Sequence, residues 1–196
     1  MPSKFESHMQ SPVGTITANA SLLIILHPRD HFNQKIVILI ESPQARARNE
    51  PCLELPKGAL NASGDVTEPM MEKMWQELSL KPRKDQLVNL TSLMIQQPHC
   101  RQGSRPDTVI HPAYIAPHKP VILWEWKMDR KEIEDIIGRF AGPRAPNETS
   151  NIRVLDYEDF WKEGARNAEL LAAWAMYENL SLNGDLKERI HKVAIG

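Results

Sequence analysis

The chain has 196 residues, 24 basic and 25 acidic, for a net charge of -1, with 41% hydrophobic and 25% charged side chains. That is enough chain and apolar content for one globular domain with a real core. The balanced charge excludes the electrostatic footprint of a nucleic-acid or anionic-membrane binder, and no local run of like charges restores one.

The two cysteines, Cys52 and Cys100, lack C-x-x-C spacing, which argues against a disulfide scaffold or a thiolate zinc site and for a reduced, cytoplasmic setting. Leu22 to Leu26 is the most apolar early run, far short of the ~20 residues of a membrane span. Residues 1–14 are expected to be a mobile N-terminal tail, 15–180 a single domain and 181–196 a C-terminal extension. The expected partner is a small molecule, with no nucleic acid and no membrane.

In chain order, "TITANASLLIILH" (15–27) and "KIVILIE" (35–41) are rich in β-branched residues and flank a turn at "PRDHFNQ", so both are predicted strands. Ile36 to Ile40 are apolar without alternation, as a strand covered on both faces requires. A polar loop leads to the short strand "CLELP" and then to a helix predicted from about Thr67 to Leu80. Asp65 or Thr67 can cap it, Pro69 suits its first turn, and Met70, Met71, Met74, Trp75 and Leu78 form one apolar stripe.

After "LVNLTSLMIQQ" and a loop come two further predicted strands, "TVIHPAYIA" and "VILWEWKM". In the second, Ile122, Trp124, Trp126 and Met128 face one way, and Val121, Leu123, Glu125 and Lys127 the other. "DRKEIEDIIGRF" has helix-spaced isoleucines, "AGPRAPNETSN" is predicted to be an exposed loop, and "GARNAELLAAWAMYENL" a helix presenting Ala168, Leu171, Ala172 and Ala175 to a sheet. The pattern contains no G-x-S-x-G, H-E-x-x-H, P-loop or G-x-G-x-x-G, and the histidines of "HPRDH", in a turn beside Pro28, make a poor metal site.

The order of strands, "LELPKG" loop, helix, strands and terminal helix resembles the Nudix hydrolase superfamily. "CLELPKG" is similar to the E-x-P-A-G segment of its ADP-ribose pyrophosphatase branch, and "GARNAELLAAWAMY" to that branch's closing helix. The resemblance implies an α/β/α sandwich with a mixed central sheet, and it implies a helix whose glutamates bind magnesium across a diphosphate.

The family's box reads G-x5-E-x7-R-E-U-x-E-E-x-G-U, U being bulky and apolar. Aligned on Gly58, Gly64 stands at the first Glu, Glu72 and Lys73 at R-E, Met74 at U, Gln76 and Glu77 at E-E, Ser79 at Gly and Leu80 at the last U. Of the metal-binding carboxylates only Glu77 stays in register, and Lys73 puts a cation where a ligand belongs. The branch's acid-bearing loop before the last strand is also reduced, to about "PHKP".

Three readings follow. In the first, the box is lost and the frame serves a small-molecule pocket, for binding or for a metal-free isomerisation or cyclisation. Its acid–base candidates are Glu77, Glu54, His111, Tyr114 and Glu125, and its ligand-binding candidates Arg46, Arg48, Lys73, Trp124 and Trp126. No cofactor is expected on this reading. The second is a divergent magnesium- or manganese-dependent hydrolase of nucleoside diphosphate derivatives such as ADP-ribose, its metal held if anywhere by Glu77 and Glu72. The third is a non-enzymatic interaction module, a homodimer as the branch typically forms.

Overall fold

The computed structural model describes residues 19–31, 33–42, 52–61, 66–78, 80–96, 119–136, 140–141, 150–184 and 186–187. Strands β1 (Asn19–Pro28), β2 (Ile36–Ser42), β3 (Cys52–Glu54) and β4 (Lys57–Ala59) precede helix α1 (Glu68–Leu78). A short 3-10 turn (Lys84–Gln86), β5 (Leu87–Asn89), α2 (Leu90–Gln96) and β6 (Val121–Met128) follow. The remaining elements are α3 (Arg130–Ile136), β7 (Phe140–Ala141), β8 (Ser150–Asp156), α4 (Tyr157–Gly164) and α5 (Ala168–Leu182). The predicted strand 108–116 lies outside the described residues.

The strands form one eight-stranded sheet in the order β5-β6-β1-β2-β8-β7, with β3 paired to β2 and β4 to β1. β6 runs parallel to β1, from Ser21 opposite Val121 to Pro28 opposite Met128, and the other pairings are antiparallel. Helices cover both faces, so this is the expected α/β/α sandwich with a mixed central sheet.

The unalternating strands show the cause directly. Alternate side chains of β1 point to opposite sides, and both sides are dry. Leu22, Ile24, Leu26, Ile36 and Ile38 join a core beneath α1 and α3, while Leu23, Ile25, Val37 and Leu39 join a second core beneath α2, α4 and α5. Eleven residues of α1 are too few for a stable isolated helix. It is held by Met70, Met71, Met74 and Leu78, all buried in the first core as the stripe predicts. Thr67 is its cap, accepting from Met70 N through Oγ1 at 3.3 Å while donating to the Ala59 carbonyl at 3.0 Å.

Two stretches given no element gain one, and two expectations change. "LVNLTSLMIQQ" is a strand for only three residues and then a helix, because the Asn89 side chain accepts from Ser92 N at 2.9 Å and starts α2. "NIRVLDYEDFW", left without an element by the sequence reading, supplies most of β8 and the first half of α4. Asn151, placed in the exposed loop, pairs with Glu41 instead. The second changed expectation is the buried face of α5, where Leu170, Ala173, Met176, Tyr177 and Leu180 are inside and Leu171 and Ala175 outside. That helix is apolar on nearly every side, and the stripe with the larger side chains removes more apolar surface from water. Leu186, beyond the helix, is also packed in the second core.

α5 is anchored at its start by Asn167, which accepts from Glu169 N at 2.9 Å and donates to the Leu53 carbonyl at 2.9 Å. The hydroxyl of buried Ser21 donates to the Glu169 carboxylate. At the far end Gly184 takes φ 80, the left-handed conformation that closes helix C-termini at low cost for glycine.

Candidate functional site

Two regions hold the residues the sequence singles out. The first is the loop and helix of β4 and α1. Gly58 lies directly under α1, where a Cβ would stand 2.3 Å from Met70 Cγ, so the turn needs a residue without a side chain to bring helix and strand together. Glu54 is bonded to Lys57 Nζ at 2.5 Å, and Glu72 is exposed on the helix. The side chains of Lys73 and Glu77, and all of Arg46, Arg48, His111 and Tyr114, lie outside the described residues.

Magnesium, which the resemblance implies, needs several carboxylate oxygens converging on one point. Glu54 already has an ammonium in that place, and among the described residues no three His, Cys, Asp or Glu side chains converge. The described groups do not fit a magnesium cluster.

The second region lies on the other face, at the carboxyl ends of β1 and β6. Parallel pairing puts Ile25 opposite Glu125 and His27 opposite Lys127, so His27 and Glu125 project from neighbouring strands to the same side. His27 Nε2 meets Glu125 Oε1 at 2.5 Å, both side chains being 17% exposed. The same oxygen accepts from the Tyr177 hydroxyl of α5 at 3.0 Å. With Nε2–H donated to the carboxylate, the neutral His27 ring presents the lone pair of Nδ1 as an acceptor.

Around this trio, the Tyr157 hydroxyl at the start of α4 donates to Glu178 Oε1 at 2.7 Å. The Tyr157 and Tyr177 rings meet edge to face, centroids 5.3 Å apart, and Lys35 Nζ lies 5.1 Å from one centroid and 4.8 Å from the other. Burial first, and then the Glu178 carboxylate, push the Tyr157 hydroxyl well above the ordinary tyrosine range. Burial and then Glu125 do the same to Tyr177. Both are hydrogen-bond donors across the working pH range and neither serves as a base.

Beside Tyr157 opens a cleft of about 890 Å³, lined by Gln34, Lys35, Arg130, Asp156, Tyr157 and Glu178 among others. That volume suits a small-molecule ligand, and the position matches the tendency of open α/β sheets to bind ligands beyond the carboxyl ends of their strands. Arg130 is spent on the turn, donating to Asp30 and Gln34, each at 3.0 Å. It also holds the Asp30 carboxyl below its usual range. Gln34 passes the link to Asp156 at 2.9 Å.

Of the sequence candidates, Glu125 is thus brought into a polar cluster. Trp124 is buried at 3% exposure with its Nε1 lacking a partner among the described residues, and Trp126, 40% exposed, stacks on it at 6.2 Å. Both project to the α1 side, away from Glu125. The sequence reading missed His27, Lys35, Tyr157, Tyr177 and Glu178. His27 carried a signal, a polar side chain ending an apolar strand, whereas the tyrosines and Glu178 are brought in only by helix packing.

The class these features define is an α/β/α sandwich with a mixed central sheet, consistent with a Nudix-type fold, with a glycine-bearing strand leading to a helix on one face and a polar cluster on the other. No family model matches the chain. It is similar to Nudix hydrolase 14, chloroplastic, of Arabidopsis thaliana, with 25% identity over 133 residues, 67% of this chain and 41% of that protein. The chain therefore spans about two-fifths of the length of the curated relative it matches. Among the described residues, no helix is long and apolar enough to cross a membrane.

Proposed function

We propose that this is a cytoplasmic Nudix-fold protein whose metal-binding box is largely lost, and whose fold holds a small-molecule pocket for binding or for a metal-independent reaction such as isomerisation or cyclisation. The observation that carries this reading is Glu125, held between His27 Nε2 at 2.5 Å and the Tyr177 hydroxyl at 3.0 Å. A carboxylate-oriented imidazole moves protons without a metal, and it sits on the sheet face opposite α1.

The alternative is a divergent metal-dependent hydrolase of nucleoside diphosphate derivatives such as ADP-ribose, and of this the name of the similar Arabidopsis protein supports hydrolysis alone. The two are separated by turnover of nucleoside diphosphate sugars, ADP-ribose included, with magnesium, manganese or chelator. Silence across the panel from folded protein, or turnover indifferent to chelator and lost in Glu125→Gln, is the expected result. Metal-dependent release of monophosphates, abolished by Glu77→Gln and spared by Glu125→Gln, would establish the hydrolase instead.

A further inference from the structure

We propose that the cleft lined by Tyr157 binds a small soluble organic cation, an amine or quaternary ammonium compound, by taking the place of the Lys35 ammonium over the Tyr157 ring and the buried Tyr177 ring behind it. This rests on reading that side of the sheet as the ligand pocket, and it adds the chemical class of the ligand.

Three observations converge. First, the rings already hold an ammonium, since Lys35 Nζ stands 4.8 and 5.1 Å from their centroids, within the ~6 Å over which a ring face attracts a cation. With an interplanar angle of 62° they form a corner, not a flat shelf. Second, both hydroxyls are tied to carboxylates, Tyr157 to Glu178 and Tyr177 to Glu125. The rings are therefore fixed in place, and negative charge lies at their edges.

Third, the cleft is lined by Asp156, Glu158, Asp159 and Glu178 against Lys35 and Arg130; Arg130 is matched by Asp30 and Asp159 by Lys162, which leaves the carboxylates of Asp156, Glu158 and Glu178 against Lys35. The resulting field favours a positive ligand. Lys35 has no carboxylate within ion-pair distance among the described residues. Its ammonium is carried on a flexible stem, so it is a resident occupant that a ligand can displace, and it competes for the same corner.

Calorimetric titration with free choline, and with dimethylbutanol as its uncharged carbon isostere, tests this on the full chain. Choline is expected to bind about tenfold more tightly than the isostere. Lys35→Met should tighten choline several-fold and leave the isostere unchanged, and Tyr157→Phe should retain binding while Tyr157→Leu loses it.

Equal binding of the isostere, weaker choline binding in Lys35→Met, or binding only to phosphatidylcholine vesicles would overturn the proposal. An anionic or neutral ligand that binds in a Tyr157-dependent way, with choline excluded, would sink the cation and leave the pocket standing. Metal-dependent hydrolysis at Glu77, with no ligand of any class in the cleft, would remove both.

Discussion

The two faces of the central sheet use the same strands for different ends. Under α1 and α3 the packing is almost wholly apolar, with methionines at Met70, Met71 and Met74 and a glycine that lets helix and strand touch. Under α4 and α5 an equally dry core ends in a polar cluster of His27, Glu125, Tyr177, Tyr157 and Glu178 at the carboxyl ends of β1 and β6. The lesson is that α1 is secured by its packing. Its stripe of methionines secures the sheet whether or not its polar side holds a metal, because that side contributes little to burial.

The comparison breaks first on volume. Phe160 in α4 is fully buried in the second core, and Phe160→Ala is expected to cost about 3–5 kcal/mol in denaturant unfolding. A loss under 1 kcal/mol would show that the α4 face is dispensable and that the sandwich rests on α1. Gly58→Ala tests the opposite face. Its new Cβ would meet Met70 Cγ at 2.3 Å and Sδ at 2.7 Å, and overpacking of this kind costs about 1–3 kcal/mol. Unchanged stability would mean that α1 is not clamped to β4.

A double-mutant cycle on Glu125→Gln and Tyr177→Phe sharpens the polar side. Residues sharing a buried hydrogen bond couple by about 0.5–3 kcal/mol, so the two losses should not add, and additivity would dissolve the trio.

Alkaline pH gives a second handle. Tyr157 and Tyr177 are raised above the ordinary value of 10.0 in the folded protein. The unfolded chain therefore releases protons first, and the stability they supply is full below about pH 10 and declines as pH rises further. Ultraviolet titration should show these two tyrosines ionising only as the fold is lost. Tyrosinate signal from Tyr157 or Tyr177 in folded protein near the ordinary value would contradict their burial.

The smallest effect is expected at Glu72, exposed on α1. Glu72→Gln should change stability by no more than about 0.5 kcal/mol and leave any turnover unaltered. A metal-dependent loss of activity in that variant would return chemistry to the α1 face.

Much of the architecture was readable in the chain. Unbroken apolar runs in β1 and β2 demand two covered faces, and the Met70–Leu78 stripe behind a Thr67 cap demands a helix on one of them. The alternation in β6 also held, since Ile122, Trp124 and Met128 lie in one core and Val121 and Leu123 in the other. These are local properties, set by side-chain period and backbone sterics, and they need no partner to be stated.

What tertiary structure decided was register and company. The parallel pairing of β1 with β6, distant in sequence, is what places His27 beside Glu125. Nothing in the spacing of 27 and 125 announces it. The choice of Leu170 and Tyr177 over Leu171 and Ala175 as the inner face of α5 depended on which rotation buried more apolar surface, a quantity the helix alone does not contain. That rotation also turned Tyr177 toward Glu125. Periodicity names the faces of each element, and only packing determines which faces meet.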